Sequence, residues 1–395
     1  MLRRAPRGVQ ASDATADDEK ASPNAICHAD KLPSTVSGLA ATCAKGECLR
    51  MRKLLILVAA LVVVHVAFLF VQPSRAALPP SDKAVNVGIV LDVGGLGDKS
   101  FNDGAYRGAM RAEKELGARI RLIEPGEGSD REAGLRLLAA EHMDLVVAVG
   151  FIFTDDITQL AKEYPNVNFA GVDYSLSTDK AGNPILPPPN VAALKFKEEE
   201  GSFLVGALAA LVGKSKKVGF VGGMDVPLIQ KFEAGYKAGV KYVCPDCTVI
   251  VQYAGVTPEA FRNPGKGKEL ALNQFQQGVN VIYHASGSTG LGVFEAARQT
   301  DKLAIGVDAD QYSEAPGHVL TSMVKGIDVA VYDMIARVKD HTFKGGIYTF
   351  GLAQNGVGYV YDEHNRALIP ASVRARLEQI KADIIAGKII VPSTR

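Results

Sequence analysis

From Ala84 to the end of the chain, apolar runs of strand length alternate with amphipathic stretches of helix length, in two successive sets. Few architectures satisfy that alternation. A wholly apolar strand must be covered on both faces, and an intervening helix is the connection that lets neighbouring strands run parallel. In the first set Val85–Leu91, Ile120–Ile123, Leu145–Val149 and Val167–Val172 read as strands, with helices over Phe101–Leu116, Arg131–Glu141 and Asp155–Glu163. The run Asn183-Pro184-Ile185-Leu186-Pro187-Pro188-Pro189 interrupts the pattern, because consecutive prolines forbid regular structure. Strands then resume at Ala192–Phe196, Lys217–Val221, Val249–Tyr253, Val279–Tyr283, Leu303–Val307, Val319–Val324 and Val357–Tyr361. The helices between and after them are Glu199–Val212, Ile229–Tyr242, Lys268–Gln277, Thr289–Arg298 and Val373–Ile385.

Two sets split near residue 190 predict an α/β chain of two lobes, each a mostly parallel sheet flanked by helices. Ligands of open α/β sheets bind beyond the carboxyl ends of the strands, so a cleft where two such sets face each other is the expected site.

Residues 1–50 mix Ala, Ser, Asp and Pro without an apolar period and read as a disordered or untranslated extension, with Met51 as an alternative start. Residues 51–76 have a basic start (Arg52, Lys53), the apolar run Leu54–Val71 and a small-x-small end at Ser74 and Ala76. These are the parts of a secretory signal, and the run is also just long enough for an N-terminal membrane anchor. No cysteine lies near that end, so a lipid-anchored form is not indicated. Cys244 and Cys247 sit in a connecting loop between a helix and a strand. In an exported protein they read as a small loop-closing disulfide.

Several functions find no support. The formal net charge is +1 with scattered basic residues, which gives nucleic acid no stripe to bind. The seven histidines form no metal-binding spacing. Leu208 stands where a P-loop ending at Lys214-Ser215 needs its first Gly, and Ser100 stands where a dinucleotide fingerprint needs its last. No G-x-S-x-G elbow is present. Catalytic residues, metal and cofactor are therefore all expected to be none.

The strand ends carry the candidates for binding. Ser100 and Asp103 fit a capping box, after which Phe101 and Asn102 present an aromatic face and an amide. Phe101 fits a ligand contact or an inward staple equally well. Asp155 opens a helix, where a cap or first-turn role competes with ligand contact. Phe232 fits either a core or a cleft position. Asp308 and Lys325 end successive late strands and fit either a surface ion pair or a site that accepts a sugar diol. Gly287 lies in a small-residue loop that fits backbone approach to a ligand or an ordinary turn.

Asp92-Val93-Gly94-Gly95 with Asp98-Lys99-Ser100-Phe101-Asn102 is the most specific of a series of ordered matches. The others are Gly150-Phe151 with Thr154-Asp155, Gly222-Gly223, Phe232-Glu233-Ala234-Gly235-Tyr236, Gly287-Ser288-Thr289-Gly290, Gly306-Val307-Asp308 and Lys325-Gly326. Together they resemble the basic membrane protein (Bmp, or purine nucleoside receptor) family of ABC-transporter substrate-binding proteins. The resemblance implies a type I periplasmic-binding fold, with lobe 1 at 82–193 plus about 309–342 and lobe 2 at 194–308 plus about 343–395. It implies that Phe101 and Phe232 sandwich a purine base, that Asn102 and Asp155 read its edge, and that Asp308 and Lys325 hold the ribose. Asp92 would line the cleft. The implied protein is a periplasmic monomer, not an enzyme, that binds a purine nucleoside and docks on an ABC permease. A sugar, a flavin or a furanone signal is the alternative ligand. The sequence departs from the family in lacking the lipoprotein cysteine and in carrying Met224-Asp225 near the second aromatic.

Overall fold

The computed structural model describes residues 84–124 and 130–395. The expected extension at 1–50 and the export segment at 51–76 lie outside the described residues.

In the first lobe, β1 (Asn86–Val90), β2 (Arg119–Ile123), β3 (Leu145–Val149), β4 (Asn168–Val172) and β5 (Val191–Phe196) join a late strand, β11 (Gly346–Phe350). Their order is β11-β5-β4-β3-β1-β2, and every pairing is parallel. Every residue of β3 is buried because helices cover the sheet on both sides. Those helices include α1 (Phe101–Leu116), α2 (Asp130–Ala140) and α3 (Thr154–Glu163).

The second lobe repeats the plan. Its strands are β6 (Lys217–Met224), β7 (Thr248–Gly255), β8 (Val281–Ala285), β9 (Leu303–Asp308), β10 (Val319–Lys325) and β12 (Val357–Tyr359), in the order β12-β10-β9-β8-β6-β7. Only β12 runs antiparallel to its neighbour. Around the sheet stand α4 (Glu198–Val212), α5 (Pro227–Val243), α6 (Pro264–Gln276), α7 (Gly290–Thr300) and α9 (Ala371–Ile385). The remaining helix, α8 (Ile327–Lys339), returns to the first lobe and packs on α1.

The chain thus crosses between lobes after Phe196, at Gly326 and between Phe350 and Val357. This moves the expected boundaries. β10 falls within 309–342, yet it pairs with β9 and belongs to lobe 2. β11 falls within 343–395, yet it pairs with β5 and belongs to lobe 1. β11 escapes a search for apolar runs because it is a part-exposed edge strand, with Ile347 37% accessible.

Cys244 and Cys247 form a disulfide with a Cα–Cα distance of 5.3 Å, in the turn from α5 to β7.

Candidate functional site

The carboxyl ends of the two sheets face each other across a cavity of about 570 Å³. From lobe 1 it is walled by Asp92, Asp98, Phe101, Asn102, Phe151 and Asp173, and from lobe 2 by Phe232, Phe261, Gly287, Asp308 and Lys325, among others. Most of the residues selected from the sequence therefore meet in one place.

How the first loop reaches the cavity differs from the expected capping box. Ser100 makes no side-chain cap. Asp98 does that work: its carboxylate accepts the backbone N–H groups of Ser100 (2.9 Å), Asn102 (2.8 Å) and Asp103 (3.2 Å). A short acidic side chain placed before the helix satisfies donors that the first turn leaves free and suits the positive end of the dipole. Asp103 instead accepts from Gly97 and Lys99 and steadies the loop. Ser100 is left to donate across the cleft to Asp308 Oδ2, at 2.7 Å.

Asn102 is 2% accessible and committed at both ends of its amide. Its Oδ1 accepts the Asp92 N–H at 2.8 Å, and its Nδ2 donates to Asp98 Oδ2 at 3.1 Å. It ties the end of β1 to the start of α1, whatever else it contacts.

The aromatic wall is broader than the expected pair. Phe101 and Phe232 flank the Lys325 ammonium, whose Nζ lies 5.2 and 5.6 Å from their ring centres. Phe151 and Phe261 meet edge-to-face across the cleft at 6.5 Å. Phe232 is only 3% accessible, whereas Phe101, Phe151 and Phe261 keep partly open faces. Neither Phe151 nor Phe261 was selected individually. Phe151 lies one residue beyond the end of β3, within reach of the strand-end rule, while Phe261 lies in a short 3-10 turn after β7 that no periodicity marks.

Two aspartates occupy equivalent positions in the lobes. Asp173 directly follows β4 and Asp308 ends β9, and both hold left-handed backbones, at φ 60° and 65°. Such strain in a non-glycine residue is typical of binding and catalytic positions. Each has one buried carboxylate oxygen, Oδ1, with no hydrogen-bond partner among the described residues. Each Oδ2 is engaged across the cleft: Asp173 accepts from Lys325 Nζ at 2.7 Å, and Asp308 accepts from Ser100. Lys325 also lies 3.2 Å from Glu198, and Lys231 lies 2.5 Å from the same carboxylate.

Desolvation dominates the electrostatics. It pushes the Asp92 carboxyl up to about 7, against the pull of the Val93 N–H and Arg131. It pushes Asp308 up to about 6, against Lys325 and Ser100. Asp173 and Asp98 are raised for the same reason. Burial also works against Glu198, yet the Lys325 and Lys231 ammoniums hold its carboxyl below the usual range. Lys325 is disfavoured by burial but kept charged by Asp173, Glu198 and Asp308, which lift its pKa above an ordinary lysine.

Two glycines are required where they stand. Gly150 has φ 123°, and a Cβ there would lie 2.4 Å from Asp92 Oδ2. Gly287 has φ 56°, and a Cβ would press on the Phe261 carbonyl at 3.0 Å.

Asp155 stands apart from this assembly. It is exposed in the first turn of α3 and lines a separate recess with Ile152, Thr158 and Ile185. Asp173, directly beyond the end of β4, lines the interlobe cavity where Asp155 does not.

Comparison with known proteins agrees with this architecture. A family profile, Bmp, described as ABC transporter substrate-binding protein PnrA-like, matches residues 85–395. A lipoprotein of Pyrococcus horikoshii is 38% identical over 291 residues, covering 70% of this chain and 69% of its own. The ABC transporter nucleoside-binding protein BmpA of Lactococcus lactis is 33% identical over 368 residues, 87% of this chain and 100% of its own. Among solved structures, an ABC transporter solute-binding protein from Aeropyrum pernix superposes with a TM-score of 0.71 at 30% identity, over 78% of this chain and 94% of its own.

Proposed function

The chain belongs to the Bmp family of ABC transporter substrate-binding proteins, and on that premise we propose that it captures a purine nucleoside between its lobes and delivers it to an ABC permease. The observation that carries the ligand is the pairing of an aromatic wall with two orphaned carboxylate oxygens, Asp173 Oδ1 and Asp308 Oδ1, beside the Lys325 ammonium. A base has two apolar faces to lay on Phe101, Phe232 and Phe261, and stacking contributes about 1–3 kcal/mol per base. A ribose has hydroxyl donors for the orphaned oxygens and acceptors for Lys325. Hydrogen bonds to charged groups contribute roughly 1.5–3 kcal/mol each. A bare sugar would use the carboxylates but brings no flat aromatic face of its own to the phenylalanine rings.

Asp92, at the Asn102 end of the cavity, is a further acceptor for the base. Asp98, Asn102 and Gly287 shape the wall, and Asp155 stays outside it. The protein works by closing around its ligand, without turnover, as a monomer. Substrate-binding proteins of ABC importers act outside the cytoplasm, and residues 51–76 carry this one to the periplasm as a cleaved signal or as a tether. The BmpA relative from Lactococcus lactis, named as nucleoside-binding, supports the choice of ligand.

The test is to purify the protein without denaturation, release any carried solute by unfolding, and identify it by mass spectrometry. A purine nucleoside at near-stoichiometric amount supports the reading. A sugar, flavin or furanone would keep the transport role and remove the nucleoside.

A further inference from the structure

The interlobe cavity adjoins a second recess at Asp173. Phe151, Asp173 and Leu228 line both spaces, and the recess holds about 1470 Å³ counting the solvent at its mouth. The recess lies over the end of β5, which supplies Lys195, and over the amino end of α5, which supplies Val226, Pro227 and Gln230.

Its chemistry is unlike that of the cavity. The cavity wall holds four aspartates and one lysine, whereas the recess wall balances Lys195 and Lys231 against Asp173 and Glu198. Lys231 is paired, at 2.5 Å from Glu198 and 3.4 Å from Glu199. Lys195 is half-buried and, among the described residues, donates only to the Tyr174 carbonyl, at 2.9 Å, which leaves two N–H donors free for a ligand. No carboxylate lies within ion-pair distance of it among the described residues. Burial, and then the neighbouring Lys231 ammonium, hold its pKa below the usual lysine value. A bound anion would relieve both effects. The start of α5 adds to the same field. Its N-cap, Val226, contributes no side-chain hydrogen bond, so the first-turn N–H groups of this 17-residue helix have no cap.

We infer that this recess is a second subsite, built around Lys195, which accepts an anionic substituent of the phosphate type carried by the ligand whose base and ribose occupy the cavity. The inference rests on the nucleoside reading above. It means that the protein takes a phosphorylated nucleoside as well as the bare one, with the substituent leaving the cavity past Asp173. Lys195 contributes charge-assisted hydrogen bonds to that group and makes no contact with the base or ribose.

The test is isothermal titration of the full protein, and of its Lys195→Gln variant, with adenosine and guanosine, each beside its 5′-monophosphate. The wild-type protein is expected to bind a monophosphate within about tenfold of the matching nucleoside. Lys195→Gln should weaken the monophosphate by about tenfold, the scale of one charge-assisted contact, and shift the nucleoside by less than about twofold. Raising the salt concentration should weaken the monophosphate alone. Unchanged nucleoside binding in the variant also reports that it is folded. Nucleosides that bind while both monophosphates fail would overturn the subsite and leave the nucleoside reading standing. Equal loss of both ligand types in the variant would overturn it as well. Failure of all four compounds would remove the nucleoside reading, and the subsite with it.

Discussion

Replacing Lys325 by Met keeps the length of the side chain and removes the ammonium at the centre of the interlobe charge cluster. Its Nζ lies 2.7 Å from Asp173 and 3.2 Å from Glu198, and those side chains are 4% and 1% accessible. Breaking a buried ion pair from one side typically costs about 3–5 kcal/mol, because the remaining charge is left uncompensated. With about 2 °C of Tm per kcal/mol in a chain of this size, the expected drop is roughly 6–10 °C. The sign of its pH dependence follows from the acids. Asp308 has a folded-state pKa of about 6 against an ordinary value of 3.8, and Asp173 is shifted the same way. Such raised groups contribute stability that is complete below the ordinary value and is lost as pH rises through the folded one. Lys325 is what holds both values down, so its removal extends that loss to higher pH. The deficit of the Met variant is therefore largest above about pH 7 and smaller near pH 5, where the acids take up protons. Scanning calorimetry of ligand-free protein at both pH values measures it. A deficit below about 2 °C at neutral pH, or one that grows on acidification, would refute the reasoning.

Other perturbations test the remaining parts of the site. Asp98→Ala removes the cap of α1 and should cost about 1–2 kcal/mol in denaturant unfolding, together with a loss of ligand affinity, because Phe101 and Asn102 lose their anchor. Gly150→Ala forces a side chain into a backbone at φ 123° and against Asp92, and should destabilise by about 1–3 kcal/mol; a neutral result would mean the loop is not held as described. Asp92 and Asp308 accept ligand donors more strongly when ionised, so affinity should rise with pH through about 6 to about 7. Titration of Asp308→Asn should give weaker binding with a flatter pH profile. Exchanging Cys244 and Cys247 for Ser should lower stability by about 2 kcal/mol or less, since the closed loop is short, and leave ligand affinity unchanged.

The helices and strands were largely legible because a parallel sheet buried on both faces writes itself as unbroken apolar runs. β11 was not, since a part-exposed edge strand carries no such run, and the lobe boundaries shifted with it. Asp92, Phe101, Asp308 and Lys325, singled out at strand ends or at the helix start that follows one, do line the interlobe cavity. Asp173 obeys the same rule and lines the cavity, whereas Asp155, the first acidic residue of a neighbouring helix, lies outside its wall. The capping residue is not legible because Ser100 and Asp98 both precede α1, and only the three-dimensional loop decides which carboxylate or hydroxyl turns inward. Phe261 was out of reach, because no period marks the turn that carries it.

The central claim is that an aromatic base and a diol are captured together between the lobes. Isothermal titration of the protein, unfolded and refolded to remove any carried solute, with adenosine, guanosine and inosine tests it most directly. Submicromolar binding at one site per chain, weakened at least about tenfold by Phe101→Ala and by Asp308→Ala, is the predicted result. No heat with any of the three, from protein that binds a sugar or a flavin, would contradict it.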